Sequence, residues 1–304
     1  MVEFKRVLCP VDLSEQSLRP LAYAGAVAKW YGGQVTALHV VPTFEPIEVR
    51  ASGLFAHAGI VAPMPREEVL ERLQQALEAA GVPAAEARVT AAAGEAAATI
   101  VDQAVVMAAD LLVLGTHGRG GFNHLLLGSV TEKVLRKAPC PVLTVPPHAP
   151  ATPPAVVALR KILCPIDFSP ASMQALGFSL DLARRANASV TFVHAIESLA
   201  EEEPREIAHF SIPEFRRELI EDARTRLEAL IAQEAQPAAG HETRVVAGRA
   251  HREILRVATE EGAGLIVMGA QGRGGAALAA FGSTTQQVLR AAACPVLTVR
   301  GVRT

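Results

Sequence analysis

Net charge is almost absent from this chain: 29 lysines and arginines stand against 31 aspartates and glutamates over 304 residues, a formal −2 at pH 7. That balance leaves no electrostatic footprint for wrapping nucleic acid and no basic amphipathic face for a membrane surface. Cysteine is sparse. The four present, Cys9, Cys140, Cys164 and Cys294, show no CxxC spacing, which excludes a thiolate metal cluster. The opening Met1-Val2-Glu3-Phe4-Lys5-Arg6 lacks a basic start followed by an apolar stretch, so no secretory leader is expected. The longest apolar region, near 96–115, is broken by Asp102, Gln103 and Asp110 and is too polar to span a bilayer. A reduced, cytoplasmic protein with no nucleic-acid or membrane partner is the expectation. Chemical signatures are missing too. No GxxxxGK[ST] phosphate loop occurs, and the first apolar run ends in Cys-Pro-Val-Asp rather than GxGxxG, which disfavours a dinucleotide oxidoreductase. No Ser-His-Asp set or carboxylate pair stands out.

What is present is core material and a repeat. Half the residues are hydrophobic and a fifth are charged, a globular composition long enough for two domains. Leu8-Cys9-Pro10-Val11-Asp12-Leu13-Ser14 returns as Leu163-Cys164-Pro165-Ile166-Asp167-Phe168-Ser169. Cys140-Pro141-Val142-Leu143-Thr144-Val145 returns unchanged as Cys294 to Val299. So steady an offset over half a chain marks a duplicated domain, not a solenoid. The cysteines fall into matched pairs, Cys9 with Cys164 and Cys140 with Cys294, and read as buried small hydrophobes. Pro146, Pro147, Pro150, Pro153 and Pro154 crowd the join, which reads as a semi-rigid linker. The expected domains are 1–146 and 159–304, with 147–158 between them.

Within each unit, strand-like and helix-like patterns alternate. Val7 to Val11 is followed by a helix with Ser14 as its cap; in the second copy Ser169 caps and Pro170 takes the first helical position. Strands are expected at Val35 to Val41, Ala87 to Ala92, Leu111 to Leu114 and Val142 to Val145, each with a partner in the second unit. Helices are expected at 66–80, 95–108, 214–234 and 249–261. Alternation of this kind predicts an α/β fold: two tandem flavodoxin-like or Rossmann-like doubly wound domains, each a five-stranded parallel sheet with helices on both faces. The segments 43–65 and 197–213 have no clear period and are left as flaps.

One motif sits where such sheets bind ligands, beyond the strand ends at the reversal of strand order. Gly115-Thr116-His117-Gly118 is followed after nine residues by Gly128-Ser129. Gly269-Ala270-Gln271-Gly272 is followed after nine residues by Gly282-Ser283. Glycine turns with open N–H groups beside a helix start form an anion cradle. Gly115 and Gly118 are expected to take φ > 0 and let the backbone approach a pyrophosphate. Arg119-Gly120-Gly121 and Arg273-Gly274-Gly275 add a cation and further amides, although a loop arginine is as readily solvated. Asp12 and Asp167 read either as helix-entry caps or as contacts to a base or ribose. His39 and His194 read as packing residues. His117 has no counterpart, since Gln271 replaces it, and is a poor catalytic candidate.

These residues together resemble the universal stress protein family in tandem form. Both copies carry its Gly-x2-Gly-x9-Gly-Ser pattern, its strand-one Pro-x-Asp-x-Ser and its closing Pro-Val-Leu-x-Val. The resemblance implies ATP, or ADP or AMP, in each half, with Mg²⁺ held through the phosphates, and a stress-response or sensor role. It points to Gly115 through Gly121 with Gly128, Ser129, Val130 and Thr131, and to Gly269 through Gly275 with Gly282, Ser283, Thr284 and Thr285. The base is implied against Pro10, Asp12 and Val40, and against Pro165, Asp167 and Ala195. It also implies an internal pseudo-dimer through the final strands, with a homodimer of whole chains open. Phosphate anchoring without an evident base favours binding over catalysis. The alternatives are a slow Mg-ATPase and an interaction scaffold with empty sites.

Overall fold

The computed structural model describes residues 3–41, 64–116, 127–150, 159–197, 212–234, 240–272 and 281–301. The first half runs β1 (Arg6–Pro10), α1 (Leu18–Tyr31), β2 (Gln34–Val41), α2 (Arg66–Ala79), β3 (Ala87–Ala93), α3 (Ala96–Val106), β4 (Leu111–Gly115), α4 (Ser129–Lys137) and β5 (Val142–Val145). The second runs β6 (Lys161–Pro165), α5 (Pro170–Ala186), β7 (Ser189–Ile196), α6 (Ile212–Glu234), β8 (His241–Ala247), α7 (Ala250–Glu260), β9 (Leu265–Gly269), α8 (Ser283–Ala291) and β10 (Val296–Val299). Most of the two expected flaps (43–63 and 198–211) and most of the proline linker lie outside the described residues.

All strands join one sheet, in the order β3-β2-β1-β4-β5-β10-β9-β6-β7-β8. Of the two doubly wound orders this is the Rossmann type, with the reversal between β1 and β4 and again between β6 and β9. Pairing is parallel within each half. The strands are apolar on both sides because both faces are covered. Along β1, Val7 and Cys9 enter one core and Leu8 the other, the period of two that a pleat requires. The first core holds Leu21, Leu73, Leu176 and Leu227, from α1, α2, α5 and α6. The second holds Ile100, Val134, Ile254 and Val288, from α3, α4, α7 and α8. Each apolar layer is one cluster drawn from both halves.

The halves meet edge to edge. β5 and β10 pair antiparallel, with Leu143 opposite Leu297 and Val296 opposite Thr144. Thr144 Oγ1 donates to the Val296 carbonyl at 3.2 Å, and Thr298 Oγ1 donates to the Val142 carbonyl at 3.1 Å. Identical Val-Leu-Thr-Val strands thus pair about a pseudo-two-fold axis. The flanking helices add contacts that break this symmetry. Tyr31 Oη donates to the buried Asp181 carboxylate at 3.1 Å, while the Arg185 guanidinium lies 4.2 Å from the centre of the Tyr31 ring.

Two expectations are corrected. Ser14 does not cap α1: it precedes a 3-10 turn at Glu15–Ser17, makes no side-chain cap bond, and the α-helix begins only at Leu18. Ser169 does cap, accepting from the Ser172 N–H at 3.2 Å, with Pro170 in the first turn. Proline's preset φ starts the second helix at once; Glu15 has no such constraint. The cysteines also divide. Cys9 and Cys164 are buried, whereas Cys140 and Cys294 are only partly so. Burial pushes all four thiols up, Cys140, Cys164 and Cys294 to about 12, so none is a thiolate near neutrality.

At the opposite end of the sheet from the glycine loops, Glu261 is nearly buried. Burial opposes its ionisation, but the Thr191 hydroxyl at 2.5 Å, Arg244 at 3.0 Å and Lys161 at 3.1 Å outweigh that and hold its carboxyl below the ordinary value of 4.5. A depressed folded-state pKa contributes stability above the unfolded value and loses it as pH falls through the folded one. Glu261→Gln is therefore expected to flatten the acid limb of stability. Urea midpoints taken from neutral pH down to roughly one unit below the ordinary glutamate value check it. An acid limb as steep in the variant as in the parent would count against the assignment.

Candidate ligand site

The second half shows how the rim is built. β6 ends at Pro165, and the Ile166 N–H still bonds the Val193 carbonyl at 2.8 Å. His194 Nδ1 donates to the Ile166 carbonyl at 2.7 Å, which fixes its tautomer and makes it a brace for the strand-one turn. His39 does the same to Val11 at 2.7 Å. The next residue but one turns sharply: Phe168 has φ +63° and Leu13 has φ +61°. A left-handed non-glycine residue costs on the order of 1 kcal/mol, and both halves keep it. The turn carries Asp167 back over the sheet, where Oδ1 accepts the Ser169 N–H at 3.0 Å. Asp12 Oδ1 accepts from Ser14 N–H at 3.0 Å, Ser14 Oγ at 2.6 Å and Ser17 Oγ at 2.5 Å.

The glycines have roles other than the expected positive φ. Gly115 is absent from the residues with left-handed φ, as are its counterpart Gly269 and Gly272, while Gly118 lies outside the described residues. A Cβ on Gly269 would stand 2.9 Å from the backbone carbon of Ala171 and 3.0 Å from Ser172 N, so its smallness lets α5 press on β9. A Cβ on Gly272 would meet Asp167 Oδ2 at 2.8 Å. Gly272 thus leaves room for the carboxylate that crosses from β6, and the loop and the strand-one turn share one volume. Gly282 differs: its φ is −61° and a Cβ would find only ordinary contacts, the nearest at 3.5 Å.

A cavity of about 650 Å³ opens here. Gly269, Gln271, Gly272, Gly282, Ser283, Thr284 and Thr285 form one end, at the N-terminus of α8. Pro165, Asp167 and Ala195 line the middle with Ile166, Val193, Met268 and Phe281. Glu197, Ala250 and Ile254 close the far end. Two predicted residues have their groups engaged elsewhere. The Ala270 N–H donates to the Val299 carbonyl at 2.7 Å, and Thr285 Oγ1 donates to the Gly269 carbonyl at 2.9 Å.

The first half repeats the frame. Thr116 N–H bonds Val145 at 3.1 Å and Gly128 N–H bonds Thr116 at 2.8 Å. Thr131 Oγ1 donates to the Gly115 carbonyl at 2.8 Å. Ser129 opens α4 and is exposed, Val130 is half-buried, Pro10 ends β1 and Val40 lies near the end of β2. His117, Gly118, Arg119, Gly120 and Gly121 lie outside the described residues, as do Arg273, Gly274 and Gly275. Sequence reasoning missed Phe281, Ile254 and Glu197. Their signal was positional: Phe281 precedes the motif glycine, and Glu197 follows the last residue of a strand whose neighbours already line the rim.

The fold and cleft define a doubly wound α/β protein with a glycine-lined cavity at the switch point of strand order. The chain belongs to the universal stress protein family, whose model matches residues 3–146 and again 158–300. It is 32% identical over 142 residues to universal stress protein MJ0531 of Methanocaldococcus jannaschii, spanning 47% of this chain and 82% of that one. It is 30% identical over 240 residues to universal stress protein Rv2623 of Mycobacterium tuberculosis, spanning 77% and 74%. A universal stress protein crystal structure from Archaeoglobus fulgidus superposes with TM-score 0.64 over 98% of each chain, at 23% identity, a likeness of fold. Among the described residues no helix is long and apolar enough to cross a membrane, and no cluster of three or more His, Cys, Asp or Glu is placed to hold a metal ion.

Proposed function

We propose that this universal stress protein binds an adenine nucleotide, ATP or its ADP and AMP forms, in each half and serves as a cytoplasmic stress sensor. The halves are 1–146 and 159–304, joined by 147–158. The carrying observation is the cavity in the second half, with glycines and the first turn of α8 at one end and an apolar middle beside Asp167. First-turn amides have no intrahelical acceptor and sit at the positive end of the helix dipole, so they favour a phosphate. The amides of Ser283 and Thr284 would hold the polyphosphate, with the small Gly282 beside them leaving room for its approach, and Ser129 and Val130 beside Gly128 in the same places in the first half. Bound Mg²⁺ would neutralise the phosphates, and the fit of Gly272 to Asp167 would keep the carboxylate on the sugar side of the glycine turn.

Thermal unfolding with added ATP tests the reading. Free ATP at 100 times its dissociation constant should stabilise by roughly 2.7 kcal/mol per occupied site. No shift with millimolar ATP, ADP or AMP would favour an interaction scaffold instead. Phosphate release is expected well below one turnover per second, and a rate at or above that level would make the protein an enzyme.

A further inference from the structure

The cavity of the second half has a polar group at the end away from the glycines. It runs from α8 beside β9, past β6, to the end of β7. Two strand spacings separate β9 from β7, about 10 Å, comparable to the span of a nucleotide from its phosphates to the far edge of its base. Glu197 stands at that end. Its Oε1 accepts the N–H of Ala250, the first residue of α7, at 2.9 Å. Oε2 has no hydrogen bond among the described residues.

The first half serves as an internal control. There α3 is capped from its own N-cap position, where the Glu95 side chain accepts the Ala98 N–H at 2.7 Å. In the second half that position is Arg249, which makes no side-chain cap bond. The capping carboxylate comes instead from the end of β7, where the first half has Pro42. Capping alone does not require this move, because the helix's own cap position suffices in the duplicate. The move places an acceptor-only group on the cavity wall.

We infer that Glu197 is a specificity-determining residue of the second site, selecting a base whose far edge donates a hydrogen bond. The 6-amino group of adenine supplies that donor. The 6-oxo group of hypoxanthine or guanine turns lone pairs toward the carboxylate and is disfavoured. This rests on the nucleotide reading above.

The test uses the full chain carrying Ser129→Glu, which sets a carboxylate against phosphate in the first half, titrated calorimetrically with ATP and with ITP. ATP is expected to bind at least about tenfold tighter than ITP, the scale of a hydrogen bond to a charged group. Glu197→Ala should bring the two to within about threefold by weakening ATP, on the same scale. Glu197→Gln retains an acceptor for Ala250 and gains a donor, so it should tighten ITP. A carboxylate that only caps α7 would alter both ligands alike and leave their ratio unchanged. An unchanged ratio in both variants overturns the inference while the nucleotide reading stands. Failure of both ligands to bind the Ser129→Glu protein removes that reading and the inference with it.

Discussion

Gly269→Ala is expected to destabilise the protein by about 3 kcal/mol, the upper range for overpacking a close-packed site. The added methyl would lie 2.9 Å from the Ala171 backbone and 3.0 Å from Ser172 N, and neither can move without shifting α5 from the sheet. The urea midpoint should fall with little change in slope. Gly282→Ala is the contrasting change. Its backbone is ordinary at φ −61° and its nearest new contact is 3.5 Å, so the fold should be unaffected within about 0.5 kcal/mol. If peptide groups there lie against phosphate, the same methyl should weaken ATP at least about tenfold. A stable Gly269→Ala protein would refute the packing role. Unaltered ATP affinity in Gly282→Ala would refute close phosphate approach at α8.

The second large effect is on binding. Ser129 and Ser283 each begin a helix and are exposed. Glutamate there complements the helix dipole, by roughly 0.3–1 kcal/mol, so stability should hold or rise slightly. The same charge would face a bound polyphosphate. The double variant Ser129→Glu/Ser283→Glu is expected to lose ATP affinity by on the order of 100-fold or more, since a like charge replaces a favourable first-turn amide and hydroxyl site. Each single variant should halve the calorimetric stoichiometry. Two full equivalents bound by the double variant would show that the nucleotide lies elsewhere.

How far the sequence could be read depended on whether the cause was local. The repeated Cys-Pro-x-Asp and Cys-Pro-Val-Leu-Thr-Val segments placed the strands, because continuous apolar runs bounded by proline and glycine have few other uses. The pairing of β5 with β10 was expected from the family resemblance, which implied an internal pseudo-dimer through the final strands. Ser14 and Ser169 looked equivalent, but one neighbour, Glu15 against Pro170, decides whether the helix starts at once or after a 3-10 turn. Gly115 was expected to need a left-handed φ and has none, and its counterpart Gly269 shows a different cause. Gly269 is small because Ala171, about a hundred residues earlier, lies against it, and Gly272 because Asp167 does. Contacts so distant in the chain leave no local pattern. Glu197 was hidden for the same reason, since its partner Ala250 lies beyond an entire helix and strand.

The seam between β5 and β10 has a consequence for mass action. A pair of separate subunits joined through such an edge falls apart on dilution, and its paired clefts vanish with it. Here the partners belong to one polypeptide, so their encounter is intramolecular and its effective concentration is set by the tether. The pair should therefore persist at any cellular abundance, and scarcity of the protein cannot disassemble it.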